Sequence, residues 1–387
     1  MKRVLVVAAL IAISAIYFFQ SNDQEKVKIG SSASPEKLTQ RDYQGPPKKI
    51  ILLIGDGMGL NHILLGRIAF GGPEFNMAMD RMPVFGIVTT HSVDDLYTDS
   101  AASATAWNTG FKTKNRFVGV TADKEPNKNI SETIKDFGFI SGLVATSSVT
   151  HATPAAQYAH TDSRYKEELI AQQLVESEIR IALGGGTEFF EQENKQDLFF
   201  IEDLNELKNI STDSRVIGLF AEDGIERSEG PSQIVMTKAA LKFLSSAAKD
   251  CNNFFLMSEG SQIDWESHDN QVDEMLVELK DFNETINYVL DYAATRDDTL
   301  VIVSSDHETG GLDVIKQSGD DVVISWTSGS HTLAPIGIFA YGPGAENFSG
   351  KIDQTEIYKI ITELASCLLY TSPSPRDVEE PRMPSSA

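Results

Sequence analysis

The chain has 387 residues, 41% of them hydrophobic, and a formal net charge of −23. That length suits one large domain or two ordinary ones, and so acidic a surface repels phosphate backbones, which argues against nucleic-acid binding as the main role. A small anionic substrate remains compatible with it, because a bound metal ion reverses the field locally, while two cysteines, Cys251 and Cys367, cannot build a disulfide framework or a cysteine-rich zinc site.

The chain opens with Lys2 and Arg3 followed by the apolar run Val4–Phe19, the pattern of an export signal or a short uncleaved anchor. Residues 1–21 are therefore expected to direct export to the periplasm or to the outer face of the inner membrane. Residues 22–47 are polar and read as a linker. At the other end, CLLYTSPSPRD (367–377) has neither helix nor strand periodicity. It reads as the translation of a transposon-end sequencing adapter, with VEEPRMPSSA following as index and outer adapter. Residues 367–387 are accordingly expected to be an artefact, leaving 48–366 as the folded domain.

Within 48–366, KIILLIG (49–55), SGLVATS (141–147), NFFLMSE (253–259), TLVIVSSD (299–306) and PIGIFAYG (335–342) are short apolar runs without polar alternation. Buried parallel strands read this way. Helical patterns over 129–138, 165–177, 232–249 and 272–294 lie between them. This alternation predicts a three-layer α/β/α sandwich around a mostly parallel sheet. Acids and histidines cluster just after the apolar runs, where ligands bind in open α/β sheets.

The clusters are specific in type. IGDGMG (54–59) sets Asp56 in a glycine-rich turn, where it could cap a helix or meet an ion. YTDSAASATA (97–106) places Asp99 as an N-cap and Ser100 at the positive start of a helix, with small neighbours leaving room for an anion. In THATPAAQYAHTDSR (150–164), Thr153 before Pro154 reads as an N-cap or as a hydroxyl ligand to a hard cation, and Arg164 could grip a phosphate with two N–H groups. SEGSQIDWESHDN (258–270) sets Asp264 and His268 four apart on one helix face, a pair that suits zinc. Glu259 ends the preceding strand, within reach of an oxygen-preferring ion. Asp306 and His307 follow the most apolar strand, where burial without a partner is costly. His331 sits in a Gly/Ser loop before the last strand. His151 reads as a neighbour of a ligand rather than a ligand, His62 and His91 as structural, and His160 has no assigned role.

Taken in order, IGDGMG, TDSAASATAW, HATPA, AHTDSR, EGSQID, SDHETGG, GSHT and AYGPG resemble the metal-dependent alkaline phosphatases, in particular the compact bacterial forms, from about residue 48 to about 365. The resemblance implies hydrolysis of phosphate monoesters through a phosphoserine on Ser100, with two Zn²⁺ and one Mg²⁺. It implies Asp264, His268 and His331 at one zinc, Asp56, Asp306 and His307 at the other, and Asp56, Thr153 and Glu259 at magnesium. Arg164 would hold the substrate phosphate, with Asp99 positioning it or capping the helix. His151 and Trp265 stand where some relatives carry an acid and a basic residue, and would lie behind the ligands. A homodimer is implied as well. The short Leu312–Thr327 stretch argues against a large crown-like insertion. The rival readings are a phosphodiesterase or sulfatase of the same superfamily, and an inactive metal- or phosphate-binding relative. The type I sulfatase motif is absent around Ser100.

Overall fold

The computed structural model describes residues 24–190, 197–248 and 253–366. The proposed export segment, the adapter-like tail and both cysteines lie outside the described residues. Among those described, no helix is long and apolar enough to cross a membrane.

In chain order the strands are β1 (Glu25–Lys28), β2 (Lys49–Gly55), β3 (Val84–Thr89), β4 (Ile140–Ser148), β5 (Ile181–Gly185), β6 (Leu198–Ile201), β7 (Arg215–Leu219), β8 (Phe254–Gly260), β9 (Thr299–Ser304), β10 (Glu308–Thr309), β11 (Leu312–Ser318), β12 (Asp321–Trp326), β13 (His331–Thr332), β14 (Ile336–Tyr341) and β15 (Gly350–Asp353). The helices are α1 (Leu60–Gly71), α2 (Ser100–Thr109), α3 (Ile130–Ile134), α4 (Ala152–Ala155), α5 (Glu167–Glu176), α6 (Gln233–Ala247), α7 (Gln262–His268), α8 (Val272–Ala294) and α9 (Gln354–Ala365). Ten strands form one sheet in the order β15-β3-β14-β9-β2-β8-β4-β5-β7-β6. Successive side chains of a strand face opposite sides, so β2 sends Ile51 and Leu53 to a core shared with α1, α6 and α8, and Ile50, Leu52 and Ile54 to one shared with α2, α5 and α9. This is the predicted three-layer sandwich.

Register places the active edge. Ile54 of β2 lies level with Glu259 of β8 and Ser304 of β9, and Ala145 of β4 is also level with Glu259. The chain segments carrying Asp56, Glu259 and Asp306 therefore reach that edge side by side.

Two expectations need correction. The run at 335–342 reads as a parallel strand, but β14 is antiparallel to both β3 and β9. An apolar run of that length carries no signal of direction. The reversal matters, because the loop before β14, with His331, then arrives at the same edge as the loops that follow the parallel strands. Residues 24–47, read as a polar linker, are instead packed on the domain. β1 pairs with β12 in a small sheet completed by β11, burying Val27. Gly30 N–H donates to Ile68 O at 2.9 Å and Ser32 N–H to Phe70 O at 3.1 Å. These bonds are made by the main chain, which polar composition does not reveal. The Leu312–Thr327 stretch is largely the β11–β12 hairpin of that sheet.

Candidate active site

Helix α2 starts at Ser100. Asp99, in extended conformation, accepts from Ala102 N–H at 2.9 Å through Oδ1, which satisfies one of the donors a helix start leaves unpaired. Every residue of α2 is buried, so its small side chains are packing residues as well as room for a ligand. Ser103 Oγ lies 2.8 Å from the Asp306 carbonyl, which accepts from it. That contact holds α2 to the loop after β9, and Ser100 Oγ comes 3.3 Å from His307 Nε2.

Two groups of ligand atoms meet beside Ser100, one from Asp56, Asp306 and His307 and one from Asp264, His307 and His331. His307 Nε2 is 3.1 Å from Asp306 Oδ2 and 3.6 Å from Asp56 Oδ1. Gly57 makes the approach possible. Its φ is +68°, and a Cβ there would stand 2.8 Å from Asp264 Oδ1; its N–H donates to Asp306 Oδ1 at 3.0 Å. Asp264 and His268 share a face of α7 as predicted, with His268 Nε2 3.4 Å from Asp264 Oδ2. His331 is brought in by the β10–β13 ladder, where it pairs with Thr309. Its Nε2 lies 3.1 Å from His268 Nε2 and 3.7 Å from Asp264 Oδ1.

The imidazoles are turned as metal ligands are. His331 Nδ1 faces the Thr98 carbonyl at 2.8 Å and His268 Nδ1 faces the Gly329 carbonyl at 2.9 Å. A carbonyl at Nδ1 draws the proton there and leaves the Nε2 lone pair aimed at the site. Two lone pairs pointed at each other require a cation or a proton between them. In the metal-free chain His268 takes the proton, pushed up to about 9 by its hydrogen bond to Asp264. His331 is pushed down to about 4 by burial and the charge of His307.

A third group lies deeper, with Asp56, Thr153 and Glu259 all fully buried. Thr153 is not the N-cap. His151 occupies that position and Thr153 sits inside α4, its buried hydroxyl making no helix cap and facing Glu259. Both oxygens of Asp56 and Glu259 Oε1 are likewise buried and unbonded, and Asp306 Oδ2 is buried with His307 Nε2 3.1 Å away. Burial lifts Asp56 well above the usual carboxylate range, helped by the charges of Asp306, Asp264 and Glu259. Burial also pushes Glu259 up to about 7, against the hydrogen bond from Ser261. Unpaired buried acceptors each cost about 1–3 kcal/mol, and clustered carboxylates repel one another. Cations answer both problems, and hydroxyl and carboxylate oxygens with imidazole nitrogens are the donor set that Mg²⁺ and Zn²⁺ take. The residues present fit those ions.

Arg164 closes the site. Its Nη1 donates to Asp99 Oδ2 at 3.2 Å and its Nη2 to His151 Nε2 at 2.8 Å. Burial and the Arg164 charge push His151 down to about 3, so this imidazole is a neutral acceptor. Trp265 packs edge-on against it, ring centres 5.8 Å apart. His62, buried, bonds Ser267 and the Gly59 N–H, and His160 bonds Gly119 and Glu132; neither reaches the cluster. His91 is exposed. Sequence reasoning missed Thr309, whose hydroxyl donates to Asp264 and lies 3.2 Å from His307 Nδ1. It also missed Ser261, which donates to Glu259 Oε2 at 2.6 Å. Threonine within SDHETGG and serine within EGSQID were the available signals, but hydroxyls in loops carry little information by themselves.

The alkaline phosphatase family model matches residues 47–201 and 188–323, and the chain is 32% identical over 432 aligned residues to alkaline phosphatase 3 of Bacillus subtilis, covering 86% of this chain and 92% of that protein. The chain belongs to the alkaline phosphatase family. It is a phosphomonoester hydrolase. Escherichia coli alkaline phosphatase is 29% identical, with 81% of this chain and 85% of that protein covered. The alkaline phosphatase of the Antarctic bacterium TAB5 superposes with a TM-score of 0.76 at 34% identity, over 83% of this chain and 98% of that one. A variant of that enzyme with a histidine replaced by glutamate was solved with Mg bound in its M3 site; it has a TM-score of 0.75 at 34% identity, over 83% of this chain and 98% of that one.

Proposed function

We propose that this phosphatase hydrolyses phosphate monoesters through a phosphoserine on Ser100, served by two zinc ions and one magnesium ion. The observation that carries the reading is the convergence of the Ser100 hydroxyl, a capped helix start and two ligand clusters sharing His307. Asp264, His268 and His331 would hold one zinc, Asp56, Asp306 and His307 the other, and Asp56, Thr153 and Glu259 the magnesium. When bound, these ions supply Lewis acidity, which favours the serine alkoxide, neutralises the departing alcohol oxygen and raises the acidity of water.

The chain's own groups do the rest. Ser100 Oγ forms a bond to phosphorus as the ester P–O bond breaks, giving the alcohol and phosphoseryl enzyme. Water then cleaves the Ser100 ester, releasing phosphate and restoring the hydroxyl. Arg164, fixed between Asp99 and His151, holds two phosphate oxygens, and the N–H groups at the start of α2 share the charge. The charged N-terminus and the apolar run Val4–Phe19 support export of the enzyme, and the family resemblance supports a homodimer.

The test is p-nitrophenyl phosphate hydrolysis at alkaline pH by the zinc- and magnesium-loaded chain, beside Ser100→Ala and an EDTA-treated sample. Hydrolysis that disappears in both controls supports the reading. Full hydrolysis by Ser100→Ala would overturn it.

A further inference from the structure

A cavity of about 400 Å³ opens between α3, the start of β4 and the end of α5. It lies toward the amino ends of the parallel strands, and none of its lining residues belongs to the metal-ligand clusters or to the Arg164 clamp. Its polar groups have an unusual bias. Gln157 is fully buried, and its Oε1 accepts from Ser131 at 3.2 Å while its Nε2 makes no hydrogen bond. Ser141 is 5% exposed and its hydroxyl is unbonded. Arg180 spends Nη1 on the carbonyls of Thr212 and Asp213, at 3.2 and 2.5 Å, and leaves Nε buried and unbonded. Arg215, a second guanidinium on the same wall, binds the carbonyls of Leu174, Val175 and Ile179.

The carboxylates around this cavity are already engaged. Glu132 accepts from the Asn129 N–H and bonds His160, Glu178 pairs with Lys135 at 2.6 Å, and Glu176 accepts from Gln172 at 3.0 Å. Burial, and then the neighbouring Arg180 charge, pull Arg215 below its ordinary value. At the active site the unbonded buried atoms are mainly carboxylate oxygens, which suit cations. Here they are donors, two N–H groups and a hydroxyl, beside two guanidiniums. Unmet buried donors cost about 1–3 kcal/mol each, and arginine is the residue suited to fork onto carboxylate and phosphate.

We propose that this cavity is a second, non-catalytic site for a small organic oxyanion, its carboxylate or phosphate head held by Arg180, Ser141 and Gln157 and its carbon body lying against Phe139 and Ile179. Inorganic phosphate would occupy both this site and the active site, whereas a dicarboxylate such as succinate would select this one.

Equilibrium dialysis of the metal-loaded full chain tests it, with labelled inorganic phosphate and labelled succinate as separate probes. The expected result is one more phosphate per chain than the active site accounts for, or one succinate, or both. Arg180→Gln should weaken that extra site about tenfold, the loss of one charge-assisted hydrogen bond, and Ser141→Ala should weaken it less. Both variants should keep wild-type p-nitrophenyl phosphate hydrolysis, which separates this site from the catalytic one. Ser141→Ala carries the test if Arg180→Gln does not fold. A single phosphate per chain with no bound succinate overturns the proposal, as does an extra site that neither variant weakens.

Discussion

Asp99 divides its two oxygens between two tasks, and Asp99→Asn separates them. Oδ1 caps α2 through the Ala102 N–H at 2.9 Å. Oδ2 accepts from Arg116 N–H at 3.1 Å and from Arg164 Nη1 at 3.2 Å. Asparagine keeps an oxygen for the cap but presents an NH₂ group to two donors. Hydrogen bonds to charged groups contribute about 1.5–3 kcal/mol. His151 still holds the other guanidinium nitrogen, so the low end applies, close to the ~1.4 kcal/mol that is tenfold in binding. Kinetics on p-nitrophenyl phosphate should show KM and the inhibition constant for inorganic phosphate rising about tenfold, with Tm nearly unchanged. Asp99→Ala should add the loss of the cap, about 1 kcal/mol, and lower Tm by ~1–2 °C. Unaltered constants in Asp99→Asn, or a Tm loss as large as that of Asp99→Ala, would rule out this division of roles.

Two further outcomes follow from the buried acids. Glu259 is raised to about 7 in the metal-free fold, from 4.5, so the folded state holds the proton more tightly and stability is lost as pH rises through that window. In EDTA, Glu259→Gln should therefore be more stable than the parent at pH 8 and not at pH 4.5, whereas with magnesium bound the parent should be the more stable at pH 8; urea midpoints at the two pH values check the sign. Gly57→Ala should lower zinc content measured by elemental analysis, because its Cβ would displace Asp264 and its φ of +68° disfavours alanine; full zinc occupancy would contradict the packing argument.

Much of this site was legible because the chemistry follows the strands. Asp56, Glu259, Asp306 and His307 stand at or just beyond the ends of apolar runs, and a parallel sheet brings such ends together. The Asp264–His268 spacing and the Asp99–Ser100 helix start are local patterns, and both appear as expected. Relations that depend on the assembled fold were not legible. The direction of β14 is decided by its neighbours β3 and β9 rather than by its own residues. The packing of residues 24–47 rests largely on main-chain hydrogen bonds and one buried valine, which a polar segment does not advertise. Thr153 has the sequence of a cap, yet His151 takes that place because α4 begins two residues earlier than Pro154 suggests. Arg164 is distinguished from a surface arginine only by Asp99 and His151, distant in sequence and adjacent in space.

In the proposed reaction phosphate passes through Ser100. The most direct measurement is mass spectrometry of the metal-loaded chain quenched in acid after mixing with a phosphate monoester, with the peptides around Ser100 sequenced. The expected result is a phosphorylated peptide whose modification maps to Ser100 and is absent from Ser100→Ala. Rapid turnover by a chain that never carries phosphate on Ser100 at any quench time, with the Ser100→Ala variant equally active, would contradict it.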